Sequence, residues 1–488
     1  MSLPQFKLLR PRTLDEALSL LAKHAGESPA ATRVVAGGTD LIPSMNEVGL
    51  RDSSPEPFLL FPKDFLWGVS TAAHQVEGGN CNQWSDWELA GRIKSGDRCG
   101  KACDWWENAE RDFDIARDLG LKALRLSLEW SRIEPEEGRF DPAALRRYRQ
   151  MLEALHARGI EPIVCLHHFT HPRWFEERGA FLRGDAPQLF ERFTREVAKA
   201  VGDLCRFWVT FNEPNVYAAC GYVLGEFPPG HKGQLLNALR VNRMQARAHV
   251  LAYRALHELV PEAQVGWAQH YVVFEPVRGM ANRWVAALLD RLFNHTFFDL
   301  IETGRLGFPF GLLNGRDREA MGCCDFVGLN VYSRFHVGFD IRNASTFFAN
   351  VFVPSHVPQG DPGFERPYGE AYPQAISQAV KRAAGLGKPI YIMENGVPDA
   401  EDQIRPWLIV SALRELHGLI AQGHDIRGYL HWTLTDNFEW NEGWTLRFGL
   451  VALDPETQQR TLRSSAKLFS EIVRGNGLAS RHPLLLPS

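Results

Sequence analysis

The stretch Trp208-Val209-Thr210-Phe211-Asn212-Glu213-Pro214 decides the fold of this chain. An apolar run of β-branched and aromatic residues ends here in an amide, a carboxylate and a proline, and such a run predicts a buried strand. Pro214 ends the strand, because proline has no backbone N–H to donate to a neighbouring strand. We therefore expect Asn212 and Glu213 at the carboxyl end of a strand, where α/β folds keep their functional side chains.

A second stretch has the same form, since Pro389-Ile390-Tyr391-Ile392-Met393 runs directly into Glu394-Asn395-Gly396. Two strands that each end in a glutamate predict a pair of carboxylates that face each other across one pocket. A glycoside hydrolase needs such a pair, with one carboxyl protonated as the acid and the other ionised as nucleophile or base. The alternative, two surface charges at strand ends, is disfavoured by the motifs found at the other strand ends.

Short apolar runs alternate with helical stretches from Phe61 onward, which predicts βα units around a parallel sheet. Eight such runs occur, at Phe65–Ser70, Ala123–Leu128, Pro162–Leu166, Phe207–Phe211, Val265–Tyr271, Phe326–Asn330, Ile390–Met393 and Ile426–Trp432. Eight strands close an α/β fold of the (β/α)8 TIM barrel type, whose active site lies at the carboxyl ends of the strands.

Helices are predicted between these strands, over Asp104–Gly120, Pro142–Gly159, Pro187–Leu204, Leu236–Leu259 and Pro406–Gly423. The segment Arg334–Glu370 is predicted to be long and irregular, and a loop of this kind on the active face usually walls the pocket.

The bulk properties of the 488-residue chain exclude several classes of protein. Hydrophobic residues make up 45%, enough for a large core, and the net charge of −4 argues against nucleic-acid binding. No apolar run approaches the roughly 18 residues of a membrane span, and the amino terminus lacks the apolar segment of a signal peptide, so a cytoplasmic protein is predicted. The eight cysteines are expected to be free, and no Cys/His set has zinc spacing, so no metal is expected.

Residues 1–52 fall outside the barrel pattern and are predicted to form an N-terminal extension, with the barrel over residues 53–480. Thr13 and Glu16 have the spacing of a capping box and predict a helix with an apolar face over Leu14–Leu21. The loop Ala36-Gly37-Gly38-Thr39-Asp40-Leu41 resembles the start of the flavin-binding domain in the medium subunit of molybdenum hydroxylases. Because the rest of that domain is absent and roughly fifty residues form too small a core to fold alone, we expect a remnant that docks on the barrel or is partly mobile, rather than a flavoprotein.

The motifs Thr210-Phe211-Asn212-Glu213-Pro214 and Glu394-Asn395-Gly396 resemble the two signature motifs of glycoside hydrolase family 1, the β-glucosidase family. The resemblance covers the chain from about Phe61 to about Gly475. It implies a retaining mechanism without cofactor or metal, in which Glu394 forms a covalent glycosyl-enzyme and Glu213 serves as acid/base. It also implies that Asn212 binds the 2-hydroxyl of the sugar.

The other strand ends match the family residue by residue. Arg125 lies within an apolar strand and is costly to bury unless paired, and the resemblance pairs it with Glu394, which it would hold ionised. Tyr332 is implied to hydrogen-bond the same carboxylate. The implied sugar ligands are Gln75 and His168 as hydrogen-bonding groups, Phe169 and Trp432 as stacking surfaces, Asn212 and Asn330 as amides, Glu439 as a diol acceptor and Trp440 as the closing wall.

Two positions depart from the family pattern. Phe169 stands where the family has tryptophan, so one indole N–H is lost, and Val331 replaces the first tyrosine of Asn-Tyr-Tyr. The expected substrate is a small β-glycoside or oligosaccharide with a terminal non-reducing β-D-glucosyl residue. β-Fucosyl and β-galactosyl residues stay open, because Gln75 and Glu439 can bind either epimer at position 4.

Two further alternatives concern the class of activity. A 6-phospho-β-glycosidase is disfavoured because the Glu439 carboxylate would repel phosphate. A non-catalytic sugar-binding protein on the same fold would usually lack one of the two glutamates, and this chain keeps both. No nucleic-acid or membrane partner is expected, and the sequence leaves open whether the chain forms a homo-oligomer.

Overall fold

A closed ring of eight parallel strands forms the centre of the computed structural model, which describes residues 58–307, 316–364 and 367–479. In chain order the strands are β1 Leu66–Ser70, β2 Ala123–Ser127, β3 Glu161–His167, β4 Phe207–Asn212, β5 Gln264–Pro276, β6 Val327–Phe339, β7 Ile390–Glu394 and β8 Ile426–Trp432. Each strand pairs with the next, and β8 returns to β1 through Tyr429 and Trp67. The predicted (β/α)8 barrel is confirmed.

Helices follow the strands on the outside of the ring. The longer ones are α1 Trp105–Asp118, α2 Pro142–His156, α3 Ala186–Val201, α4 Leu235–Leu259, α5 Met280–Asp290, α6 Thr296–Thr303, α7 Ala375–Ala384, α8 Arg405–Ala421 and α9 Ser464–Gly475. Short helices at the carboxyl ends of the strands cover Ala73–Glu77, Gln83–Leu89, Trp130–Ile133, Arg173–Glu177 and Pro214–Ala218.

The start of α2 shows why the helices begin where the sequence predicts. The Asp141 carboxylate accepts a hydrogen bond of 2.7 Å from the Ala143 N–H, and Pro142 occupies the first turn, where its missing N–H costs nothing. The buried face of α3 carries Phe190, Phe193 and other apolar residues at helical spacing. Truncating a fully buried phenylalanine such as Phe193 typically costs about 3–5 kcal/mol of folding free energy.

The strands contribute side chains to two layers of the core, one inside the barrel and one between the strands and the helices. Side chains such as Val209 and Met393 fill the interior of the barrel, whereas their neighbours Trp208 and Ile392 pack outward against the helices. Because both faces of each strand are buried, the strands appear in the sequence as continuous apolar runs rather than alternating ones.

The region predicted to be irregular is partly ordered, and that prediction is wrong in part. Strands β5 and β6 continue past the barrel and pair with each other out to Pro276 and Val337. The strand Ala349–Phe352 then returns antiparallel along β6, as does Glu370–Ala371. These extensions of β5 and β6 and the strand Ala349–Phe352 form an arm beyond the barrel. The sequence does not predict the arm, because one of its faces is exposed to solvent and its residues therefore include both polar and apolar types.

All described residues belong to one compact unit that begins at Phe58. Its first strand, Phe58–Leu60, pairs antiparallel with Gly477–Ala479. The predicted extension at residues 1–52, with its helix over Leu14–Leu21 and its flavin-like loop, lies outside the described residues. The eight cysteines all lie within the described residues and form no disulfide, as the sequence predicts. Within the described ranges, every helix is too short or too polar to span a membrane.

Candidate active site

A cavity of about 690 Å³ opens at the carboxyl ends of the barrel strands. Nine of the twelve predicted site residues line it, namely His168, Phe169, Asn212, Glu213, Tyr332, Glu394, Trp432, Glu439 and Trp440. The remaining three, Gln75, Arg125 and Asn330, are buried beside it and contact the lining residues. The strand ends thus bring together all twelve residues.

Glu394 is the last residue of β7 and is buried at the floor of the cavity. Nη2 of Arg125 donates a short hydrogen bond to its Oε1, and the Tyr332 hydroxyl donates to Oε2 at 2.5 Å. Tyr332 comes from β6, which is adjacent to β7, and Arg125 comes from β2, three strands away on the other side, and both side chains are buried. Because each carboxylate oxygen already accepts a hydrogen bond, the side chain is held in one orientation.

The sequence predicts that Arg125 holds Glu394 ionised, and the structure adds a second effect on the pKa of this carboxyl. Burial raises the pKa of the Glu394 carboxyl above its ordinary value, the Arg125 guanidinium opposes this shift, and the charge of Glu213 adds to it. The sequence could place the arginine beside the carboxylate, but it could not show that desolvation outweighs it.

The Glu-Asn-Gly motif at this strand end is explained by packing. Asn395 donates from Nδ2 to the Val331 carbonyl at 2.6 Å and accepts from the Tyr429 hydroxyl at 2.9 Å. At Gly396, a Cβ atom would lie 2.2 Å from the carbonyl oxygen of Trp432. Only glycine fits so close to a neighbouring backbone, so the motif fixes the contact between β7 and β8.

Glu213 follows β4 in the left-handed region, with φ of 46°. Its N–H donates to the Ala268 carbonyl at 2.7 Å, which anchors the turn. Nδ2 of Asn330 donates to the Glu213 Oε1 atom at 2.8 Å, and Nδ1 of His270 lies 2.8 Å from the same oxygen. Among the described residues both side-chain contacts fall on Oε1, so Oε2 is the oxygen available for a proton that is exchanged in the cavity.

A chain of amides links the acid side of the cavity to His168. Asn330 donates to Oδ1 of Asn212 at 2.9 Å, and Nδ2 of Asn212 lies 2.9 Å from Nε2 of His168. Because Asn212 can only donate from Nδ2, Nε2 accepts, and the imidazole proton lies on Nδ1. Burial lowers the pKa of His168, so the ring is neutral, and its buried Nδ1 has no protein partner among the described residues.

Gln75, like His168, has one buried hydrogen-bonding atom without a protein partner, and in Gln75 that atom is an acceptor. Its Nε2 lies within hydrogen-bond distance of the Phe438 carbonyl at 2.8 Å, and of Asn437 Oδ1 and Glu439 Oε2 at 3.1 Å each. Its carbonyl oxygen is buried and has no hydrogen-bond partner within the described part of the chain. An unpaired buried carbonyl is costly unless a ligand supplies the donor.

Aromatic rings form the walls between these polar groups. The His168 ring stacks on Trp432 and on Trp440, with centroids 5.8 Å apart in both pairs. Phe169 packs edge-on against Trp440 at 5.1 Å. The phenyl ring that departs from the family pattern therefore keeps its place in the wall, but offers no N–H to the cavity.

Glu439 is buried at this wall, and its protonation also differs from expectation. Burial, followed by the charge of Glu394, raises the pKa of the Glu439 carboxyl to about 8. At neutral pH the group is therefore mostly protonated in the empty cavity, and it can donate as well as accept a hydrogen bond. The sequence predicts a carboxylate that repels phosphate at this position, and the raised pKa weakens that charge below about pH 8.

Two further residues of the cavity were not predicted. His270 contacts Glu213, and its ring also stacks on Tyr332 at 5.6 Å and 18°. His270 lies near the end of the predicted strand Val265–Tyr271, and a titratable residue at that position could have marked it as a site residue. Tyr368 is a partly buried wall residue whose ring lies 6.0 Å from Tyr332. It lies in a connecting segment, and no sequence pattern marks it.

The fold and the cavity together define a class of enzyme. Two buried glutamates end β4 and β7, each held by its own hydrogen bonds, inside a cavity walled by aromatic rings and amides. Barrel enzymes place their chemistry at this end of the strands, and a pair of carboxyls in such a cleft is the equipment for cleaving glycosidic bonds. The protein is a glycoside hydrolase.

Comparisons with known proteins identify the family. The model of glycosyl hydrolase family 1 matches residues 59–478, and the chain belongs to that family. The chain is 31% identical to β-glucosidase A of Thermotoga maritima, over 86% of this chain and 98% of that protein. It is 30% identical to a β-galactosidase of Sulfolobus acidocaldarius, over 86% of this chain and 96% of that protein.

Solved structures give the same result. A β-glycosidase from Pyrococcus horikoshii superposes with a TM-score of 0.77 at 35% identity, covering 86% of this chain and 96% of that chain. The β-glucosidase from Thermotoga maritima in complex with glucoimidazole superposes with a TM-score of 0.79 at 29% identity, covering 86% and 100%. The protein is a β-glycosidase of this family.

Proposed function

We propose that this chain is a retaining β-glycosidase that removes terminal non-reducing β-D-glucosyl residues, and that it also accepts β-fucosyl or β-galactosyl residues. The observation that carries the proposal is the contrast between the two glutamates. Glu394 is bound by the cation of Arg125 and by the Tyr332 hydroxyl, whereas Glu213 contacts an amide and an imidazole. A nucleophile needs stabilised negative charge, and an acid/base needs a mobile proton.

In the first step of this mechanism, Glu394 attacks the anomeric carbon as the bond to the leaving oxygen breaks. Glu213 gives its proton to that oxygen, so the leaving group departs as a neutral alcohol. In the second step, Glu213 takes a proton from water, and the resulting hydroxide displaces Glu394 from the sugar. Two inversions at the same carbon give net retention of the β configuration.

The polar groups without protein partners suit a bound sugar. The free Nδ1 proton of His168 is a donor, and the free carbonyl of Gln75 is an acceptor. Asn212 lies beside Glu213, where it can bind the 2-hydroxyl, a contact that strengthens in the transition state. Trp432, Trp440 and Phe169 offer apolar faces to the sugar C–H bonds. The complex of the Thermotoga maritima enzyme with glucoimidazole supports the binding of sugar-like ligands by this fold.

The structure of the cavity argues against a 6-phospho-β-glycosidase. Among the described residues that line the cavity, none is a lysine or an arginine. A phosphate dianion would lose its water there without gaining a cation, which is costly. A non-catalytic sugar-binding role is disfavoured, because both glutamates are present and each is held by hydrogen bonds.

The assignment of the nucleophile is tested by trapping the covalent intermediate. A 2-deoxy-2-fluoro-β-glucoside with a good leaving group should inactivate the enzyme with a stoichiometry of one sugar per chain, since the fluorine slows the second step. Peptide mapping by mass spectrometry should place the sugar on Glu394. A label on another carboxylate, or reversible inhibition without a label, would show that the retaining mechanism or the assignment is wrong.

The contact of Arg125 with Glu394 predicts a pH effect. Glu394 must be ionised to attack, so kcat/KM falls as the pH falls through its pKa, which burial raises above the ordinary value. Since the guanidinium lowers that pKa, Arg125→Met should move the acidic limb of the profile to higher pH, by about one pH unit or more. Arg125→Lys keeps the charge and is the matched control. An acidic limb that does not move in Arg125→Met would contradict the role of the arginine.

The contact of His270 with Glu213 predicts an effect that depends on the leaving group. A hydrogen bond to a charged group is worth about 1.5–3 kcal/mol, so His270→Ala should lower kcat/KM by about 10- to 100-fold for methyl β-glucoside. Dinitrophenyl β-glucoside needs no proton from Glu213 and should lose little. His270→Asn can still donate to Oε1 and should restore most of the difference. Equal losses for both substrates would indicate a merely structural residue.

A further inference from the structure

The cavity extends far beyond the two glutamates. Asn330 on β6 pairs in register with Glu394 on β7, and this pair marks the level of the chemistry. β6 continues outward from there, and Phe335 on this extension lines the same cavity. At about 3.3 Å per residue, Phe335 lies roughly 16 Å above the level of Asn330. A single sugar bound at the glutamates therefore leaves the outer part of the cavity unfilled.

The walls of this outer part are strongly apolar. Six apolar residues line it: Val272 and Phe274 on the extension of β5, Phe293 after α5, Phe335 on the extension of β6, and Val351 and Phe352 on the strand Ala349–Phe352. Val351 and Phe352 remain 42% and 38% exposed at the rim. Exposed apolar side chains that continue an apolar cavity wall indicate a binding surface rather than a core.

Two polar side chains of the outer wall are already engaged within the protein. Nδ2 of Asn343 donates to the Ala349 carbonyl at 3.0 Å, and the Thr346 hydroxyl lies 3.1 Å from the same oxygen. Nearer the sugar, Lys94 binds the Glu442 carboxylate at 2.7 Å. Many hydroxyls of a second sugar in this space would lose their hydrogen bonds to water and face apolar walls instead. Burying hydroxyls without hydrogen-bond partners is costly.

We propose that the outer part of the cavity is an aglycone site for an extended apolar group, either an alkyl chain or a fused-ring hydrocarbon, linked to the sugar through its β-glycosidic oxygen. This inference rests on the proposed function and names the half of the substrate that the catalytic groups do not specify. The site selects against a second sugar, so cello-oligosaccharides are poor substrates of this enzyme.

The test is a series of alkyl β-D-glucosides, methyl, butyl and octyl, used below their critical micelle concentrations. Their leaving alcohols have similar basicity, so the chemistry is held constant while the buried apolar surface grows. Each methylene that is fully buried raises kcat/KM by up to about fourfold, which corresponds to about 0.8 kcal/mol. We expect a rise of at least about tenfold from butyl to octyl, and cellobiose below both. A 2-(naphthyl)ethyl glucoside distinguishes a site for rings from a site for chains.

Variants at the rim connect the preference to this surface. The double variant Val351→Ser, Phe352→Ser should lower the octyl-to-methyl ratio of kcat/KM by about tenfold, as expected when several buried methylenes lose their contact. Leu462→Ser is the matched control, because Leu462 is 47% exposed and does not line the cavity. The control should leave the ratio unchanged. A ratio that survives the double variant would overturn the assignment of the surface.

The outcomes separate this inference from the proposed function. If nitrophenyl β-D-glucoside is not hydrolysed and the 2-fluoro-glucoside leaves no label, the proposed function fails. If both succeed while the alkyl series is flat, or cellobiose is cleaved better than octyl glucoside, the enzyme is a β-glucosidase without an apolar aglycone site, and only the inference fails.

Discussion

Replacing Glu394 by alanine should abolish hydrolysis of β-glucosides, with kcat lower by roughly a millionfold, as expected when the nucleophile of a retaining enzyme is lost. The side chain is buried at the floor of the cavity with Arg125 and Tyr332 directed at its two oxygens. Azide should enter the space that the carboxylate leaves and attack the anomeric carbon directly. The product should then be α-glucosyl azide, because a single displacement inverts the configuration.

The matched control for this experiment is Glu394→Gln. Glutamine fills the same space and can still accept a hydrogen bond from Arg125, but it offers neither a nucleophile nor room for azide, so added azide should not restore turnover. Circular dichroism and thermal unfolding should accompany both variants, because alanine leaves the buried arginine without its partner. Near-native activity of a folded Glu394→Ala variant would refute the assignment, and β-glucosyl azide would refute the direct displacement.

The strand ends could be predicted from the sequence because each buried apolar run stops at the same position where the functional polar residues begin. Trp208 and Val209 face opposite sides of β4 and are both fully buried, which gives the continuous apolar run. That run can only end where a polar side chain reaches the cavity, at Asn212. The same transition at Glu394 predicts the second carboxylate, and a closed barrel must bring the ends of its strands to one face.

Other parts of the site depend on contacts that are distant in sequence. The extensions of β5 and β6 pair with each other beyond the barrel, and on β6 the residues Ser333-Arg334-Phe335-His336-Val337 mix polar and apolar types, so no apolar run marks that extension. Tyr368 reaches the cavity from a connecting segment. The raised pKa values of Glu394 and Glu439 arise mainly from burial. Desolvation is a property of the assembled cavity, so the residue types alone could not reveal these shifts.

Glucosides that carry a phosphate at position 6 should be cleaved far more slowly than plain glucosides, and the difference should grow with pH. The cavity lining includes Glu439 and, among the described residues, no lysine or arginine. Below about pH 8 Glu439 is mostly protonated, and the phosphate is then rejected chiefly because its lost hydration is not replaced. As the pH rises through about 8, Glu439 ionises and adds repulsion between like charges. Such repulsion costs several kcal/mol at an intermediate dielectric, about a thousandfold in rate.

The measurement is the ratio of kcat/KM for nitrophenyl β-glucoside and its 6-phosphate at pH values on both sides of this ionisation. Glu439→Gln keeps the size and the hydrogen bonds of the side chain but cannot ionise, so its ratio should stay constant where the wild-type ratio rises. Glu439→Ser should lower activity on the plain glucoside, because contacts to hydroxyls are lost, and should narrow the gap to the phosphate. A wild-type ratio near one would overturn the assigned substrate class. A ratio that rises equally in Glu439→Gln would show that another group carries the charge, and Glu442, also in the cavity wall, would then be the next residue to replace.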